Sequence, residues 1–151
     1  MHTRRLNVHG IAPATASALW NVDACLRQCG LGVRLIALVK IRISQVNQCA
    51  CCLDVRGGEL RCDVESQQRD YLLNGWRGWP LHTSRERAEL DSIEPETRIT
   101  EPQLPSSHQD EVRRPFDDKE LVDLTTLIEM LNLSNRLPIS LRREPQAGVP
   151  A

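Results

Sequence analysis

The chain has 151 residues, of which 40% are hydrophobic and 26% charged, with a net charge of −1. That is enough for one domain with its own core. An isoelectric point of about 6.4 and the lack of any basic run exclude the electrostatic footprint of a nucleic-acid binder, and 3% aromatics provide no stacking platform for bases. The best apolar stretch, Leu35 to Val39, falls far short of the roughly 20 residues a bilayer needs. No secretory h-region reads from Leu6 to Ala18, because Asn7, His9, Gly10 and Pro13 interrupt it. The chain therefore reads as cytoplasmic, with no membrane partner. In that compartment its six cysteines are expected to stay mostly reduced.

In chain order, residues 1–13 read as an N-terminal arm, extended and ending at Pro13. A helical domain over 14–143 and a disordered tail over 144–151 are expected to follow. The first helix is expected near Thr15, with Ala18, Leu19, Val22, Ala24, Leu26 and Cys29 as an apolar stripe, and Gly30 and Gly32 as its stop. Leu35, Ile36, Val39, Ile43 and Val46 recur at helical spacing and predict a second helix over about 33–46. The segment from Cys49 to Arg61 reads as a further helix with Asn47 near its N-cap, weakened by Gly57 and Gly58. A short helix over 66–73 and a turn-rich stretch holding Trp76 and Trp79 come next. Another helix is expected over 84–93, capped at Ser84 and ended by Pro95. Its Glu and Arg residues at 85–89 read as an exposed face, and His82 and His108 as solvated loop residues. Residues 95–109 read as a loop. A long closing helix over 117–141 is expected to carry an N-cap at Asp117 and an apolar face of Leu121, Leu124, Thr125, Ile128, Leu131 and Leu133, with Pro138 kinking or ending it. No strand pattern or solenoid repeat is visible, so the fold class is all-α.

The chemistry-bearing feature is Cys49-Ala-Cys51-Cys52. Two residues between cysteines let both sulfurs close a small disulfide ring. At a helix N-terminus, free amides and the positive end of the dipole favour thiolate over thiol. A thiolate attacks the O–O bond of a peroxide to give a sulfenic acid, and a partner thiol condenses with it to a disulfide. Cys49, Cys52 and Arg56 stand at i, i+3 and i+7, one helical face. Arg56 would supply a fixed positive charge but no transferable proton at neutral pH. Two other readings stay open at this point. One is a pair of thiols without a role. The other is a Cys₄ zinc site formed with Cys25 and Cys29. Cys51 and Cys62 have no evident partner.

Three stretches carry a family resemblance: LWNVDACLRQCGLGVRLIALVKIRISQVNQCACCLDV, QQRDYLLNGWRGWPLHTSRERAEL and FDDKELVDLTTLIEMLNLSNRLPISLR. In order, they resemble the paired helices running into CxxC, the short helix and Trp-containing turn, and the closing helix of the AhpD-like alkylhydroperoxidase and carboxymuconolactone decarboxylase family. Asn132, Asn135, Arg136 and Leu137 fall at matching places in the closing helix. The resemblance implies a single-domain, oligomer-forming AhpD-like helical bundle, usually a dimer, trimer or hexamer. It also implies a thiol-dependent peroxidase that needs no cofactor or metal. Its partners would be a small hydroperoxide and a thiol–disulfide reductant protein. By the family's pattern Cys52 is the peroxidatic thiol and Cys49 the resolving one. The family's proton relay uses a Glu about a dozen residues before the first cysteine and a His four after the second. Here those places hold Ala37 and Arg56, and neither is a general base at neutral pH. A catalytically degenerate scaffold of the same fold is thus the alternative, and a lactone-acid decarboxylase ranks below both.

Overall fold

The computed structural model describes residues 6–59, 68, 71–99 and 106–143, and all regular structure among them is helical. The elements are α1 (Val8–Ile11), α2 (Pro13–Leu26), α3 (Val33–Val46), α4 (Ala50–Glu59), a 3₁₀ segment (Leu72–Gly78), α5 (Ser84–Thr97), α6 (Ser106–Arg113) and α7 (Asp118–Ser140).

Helix α3 is the spine, because its sequence is apolar nearly all round and such a helix is stable only when enclosed. Leu35, Ile36, Leu38, Val39, Ile41 and Ile43 are all buried, and they join Leu90 and Ile93 of α5 and Leu124, Leu127, Ile128 and Leu131 of α7 in one core. Trp76 and Leu73 of the 3₁₀ segment close it. Gly30 and Gly32 sit at φ 91° and 90°, a region that an L side chain enters only with strain. They turn the chain from α2 into α3.

Two buried cations on α3 set how its neighbours dock. Lys40 faces Asp23 of α2 at 3.6 Å. Arg42 bonds Glu94 of α5, and its Nη1 also donates to Asn74 Oδ1 at 2.9 Å and Gln45 Oε1 at 3.1 Å. Arg34 and Glu86 pair at 3.6 Å over the same sequence interval, so α3 and α5 run side by side in the same direction. The 3₁₀ segment is tied to α5 by Arg87, whose guanidinium donates to the carbonyls of Trp76, Arg77 and Trp79 and lies over the Trp76 ring.

Several expectations are corrected. Pro13 opens α2 at its first position, where its missing N–H is not needed, and Val8–Ile11 already forms a helical turn within the expected extended arm. The apolar stripe expected on α2 holds only in part: Leu26 is buried and Cys29 packs on the core, but Val22 is exposed, and Ala16 and Asp23 face inward instead. The cap of α5 is Thr83, not Ser84. Thr83 Oγ1 accepts from the Glu86 amide at 3.2 Å, and Glu86 Oε2 accepts from the Thr83 amide at 2.8 Å. Pro95 lies inside α5, which runs on to Thr97. So near the C-terminus a proline removes only one internal bond, and Arg136 Nη2 holds the last turn by donating to the Thr97 carbonyl at 2.9 Å. Within the loop expected over 95–109, residues 95–97 and 106–109 are helical.

The closing helix fits best. Asp117 caps it with a reciprocal box to Glu120, and Pro138 is absorbed in its last turn. Its inner face carries Leu124, Leu127, Ile128 and Leu131, with Thr125 and Leu133 turned outward. Half of the helix expected over 66–73, the whole of Cys62 and the tail over 144–151 lie outside the described residues. Losing the Asp117 cap in Asp117→Ala is expected to lower stability by about 1 kcal/mol, read as a reduced urea midpoint with unchanged slope.

Candidate active site at the start of α4

The cysteine pair stands where α3 hands over to α4. Asn47 ends α3 as its C-cap rather than opening the next helix. Gln48 follows at φ 54°, a left-handed conformation that swings the backbone back and is sparsely populated by residues other than glycine. The Cys49 amide then donates to the Ser44 carbonyl at 3.0 Å, and the Cys49 carbonyl accepts from the Leu53 amide at 3.0 Å. Cys49 is therefore the cap of α4: its Sγ takes the bond from the Cys52 amide at 3.3 Å, the place a Ser or Asp oxygen would occupy.

Cys49 and Cys52 are joined as a disulfide, with 5.3 Å between their Cα atoms. They differ in reach. Cys49 is 1% exposed, whereas Cys52 is half-buried. Cys25, Cys29 and Cys51 are free thiols. Among the described residues no group of three or more His, Cys, Asp or Glu side chains lies together as a metal-binding set, so the fold does not bring Cys25 and Cys29 to the pair. Ala37 is half-buried on α3. Arg56 belongs to α4 by its backbone, but its side chain, with the electrostatic role expected of it, lies outside the described residues, as do the Glu59 and His108 side chains.

The turn is gripped from α7. Asn132 Oδ1 accepts from Asn47 Nδ2 at 2.8 Å, and Asn135 Nδ2 donates to Ser44 Oγ at 3.3 Å. Both asparagines are buried. The reading from sequence placed them only by resemblance, although their position carries a signal: they continue an inward row after Ile128 and Leu131, where apolar residues belong.

The Glu and Arg residues at 85–89 are not a solvated face. Glu86 is buried as a helix cap, and Glu89 is 1% exposed with neither carboxylate oxygen hydrogen-bonded. Burial pushes the Glu89 carboxyl well above the ordinary range, with Arg85 opposing and Glu86 adding. His82 is likewise buried beside Glu86 rather than solvated. Burial lowers its pKa, Glu86 works against that, and Arg87 and Arg34 reinforce it. Glu96, largely buried and facing Glu129, is raised to about 7 by burial first and the Glu129 charge second. Burial alone would raise Glu94 too, but the Arg42 hydrogen bond and the charges of Arg42, Arg77 and Arg98 hold it below the usual carboxylate range.

With the fold and site in place, kinship can be judged. No family model matches the chain. A Bacillus subtilis protein, the uncharacterized YdfG, is 30% identical over 139 residues, 92% of this chain and 95% of that one. A solved Agrobacterium tumefaciens protein of unknown function, labelled for AhpD-type antioxidant defence, superposes with a TM-score of 0.87 at 32% identity, covering 96% of this chain and 99% of its own. The AhpD core of a peroxidase-related protein from Ralstonia eutropha shares the fold with a TM-score of 0.76 at 19% identity, over 92% of this chain and 74% of its own. The chain belongs to the AhpD-like family. It is an all-helical, single-domain member with a cysteine pair at the start of α4. Among the described residues, no helix is long and apolar enough to cross a membrane.

The raised Glu96 carboxyl has a consequence for stability. Its folded pKa of about 7 lies above the unfolded value of 4.5, so the folded state holds the proton more tightly, and stability falls as pH rises between those values. Glu96→Gln is expected to remove up to about 3 kcal/mol of that dependence, measured as urea stability at pH 4.5 and pH 8; an unaltered slope with pH would contradict it.

Proposed function

We propose that the protein reduces small hydroperoxides through the Cys49–Cys52 pair. The observation that carries this is the asymmetry of two bonded cysteines at a helix start: Cys52 is half-buried, and Cys49 is enclosed as the cap. In the proposed cycle the Cys52 thiolate attacks one peroxide oxygen, the O–O bond breaks, and an alcohol leaves after taking a proton, with Cys52 oxidised to sulfenic acid. The Cys49 thiol condenses with it, releasing water and closing the disulfide. An external dithiol protein then supplies two electrons and two protons to reopen it. The other free thiols suit a reducing compartment such as the cytoplasm.

Ala37 and Arg56 favour a second reading, a slow or silent member that retains the scaffold. They leave the thiol without the family's acid–base pair, a loss worth on the order of 10² to 10⁴ in rate. Self-association belongs to the same proposal. Ile11 and Trp20 expose more than three-fifths of their surface, and Trp20 with Pro13, Ala16, Ser17 and His9 lines a shallow apolar groove that a second copy of this chain would cover.

With a dithiol reductant present, Cys52→Ser should abolish consumption of an alkyl hydroperoxide. Without any reductant, Cys49→Ser should complete one peroxide cleavage per chain and then stall with a dimedone-reactive Cys52. Native and Cys52→Ser proteins consuming peroxide equally fast would rule the peroxidase out. Ala37→Glu combined with Arg56→His is expected to raise the native rate by on the order of a hundredfold; a native enzyme already at full speed, unmoved by that pair, would remove the second reading.

A further inference from the structure

Asn132 and Asn135 are an unexpected use of core volume. They sit one turn apart on α7, 1% and 3% exposed, where Leu or Ile would pack without desolvating an amide. Burying such a group is costly unless it is hydrogen-bonded. The Asn132 Nδ2 has no partner at all, so packing and pairing within α7 do not account for its presence. What both side chains share is their target. Asn132 holds Asn47, the residue that ends α3, at 2.8 Å. Asn135 holds Ser44 at 3.3 Å, and Ser44 is fixed in turn by donating its hydroxyl to the Lys40 carbonyl at 2.8 Å. The carbonyl of that same Ser44 receives the Cys49 amide. Two bonds from α7 therefore hold the last turn of α3 immediately before the strained Gln48 and end, through Ser44, on the backbone of the resolving cysteine.

We propose that Asn132 and Asn135 are positioning residues of the cysteine pair, fixing where Cys49 stands against Cys52 and thereby the balance between dithiol and disulfide. This rests on reading the pair as redox-active. A turn held in one conformation keeps the Cys49 sulfur within reach of Cys52, which raises the effective concentration of one thiol toward the other. Releasing the turn spreads Cys49 over more conformations in the dithiol, so ring closure becomes less favourable. Each lost hydrogen bond, at about 0.5–1.5 kcal/mol, corresponds to roughly a two- to tenfold change in the equilibrium constant.

The test equilibrates the full-length chain with mixtures of reduced and oxidised dithiothreitol, which gives or takes the two electrons and two protons of the couple. Thiols are then trapped by acid and alkylation, and the reduced fraction of Cys49 and Cys52 is counted by mass spectrometry. Asn132→Ala and Asn135→Ala should each shift the couple toward the dithiol by about two- to tenfold. Asn47→Ala, at a half-exposed position that leaves the core intact, should reproduce the Asn132→Ala shift, and the two together should shift it no further. Thr126→Ala, on the exposed face of α7, should not move it. Variants with a lower melting temperature and an unmoved thiol–disulfide equilibrium would overturn the proposal alone, since the native couple would still stand. A native protein that forms no Cys49–Cys52 disulfide at any ratio would sink both this proposal and the peroxidase reading.

Discussion

Everything in this molecule is arranged around the enclosure of α3. An amphipathic helix can rest one stripe on a core, but α3 buries Leu35, Ile36 and Ile43 on one side and Ile41 on the other, so it must be surrounded. Its two buried cations make that enclosure specific. A buried charge is tolerated only with a partner placed for it, and Lys40 and Arg42 meet the opposite charges of Asp23 of α2 and Glu94 of α5. The apolar residues supply most of the stabilisation. The cations select the docking in which that burial occurs.

The site inherits its geometry from this spine. The last turn of α3 carries Ser44 and Asn47, both fixed from α7, and the chain reverses through Gln48 into a helix whose cap is itself a cysteine. Placing a sulfur at the cap has a chemical effect beyond turn formation. The Cys49 Sγ accepts the Cys52 amide, while burial of the same residue keeps external reagents away. Cys52, one turn on, is half-buried.

Fold and chemistry are separable here. Ala37 and Arg56 are compatible with the helices that carry them, because a bundle needs only residues of suitable size and propensity at those places. Proton transfer makes a stricter demand, for a group that titrates near neutrality at a particular point. A chain can therefore keep the AhpD-like architecture and its cysteine pair while changing the groups that would activate it. Buried carboxyls elsewhere, such as Glu89, show that this interior accepts costly polar groups.

The sequence alone determined what local rules govern. Gly30 and Gly32 bound α2 and α3, the Asp117–Glu120 box starts α7, the periodicity of α3 appears in its residues, and the spacing of Cys49 and Cys52 announces a pair. Each of these depends on residues within a few positions of one another. Other features were decided only by tertiary structure. Glu86 and Glu89 read as surface charges until α5 is laid against α3. Pro95 reads as a helix end until Arg136 holds the turn beyond it. Asn132 and Asn135 acquire a purpose only when α7 reaches residues 85 and 91 positions away. Burial and hydrogen-bond partnership are properties of pairs distant along the chain, and no local pattern encodes them.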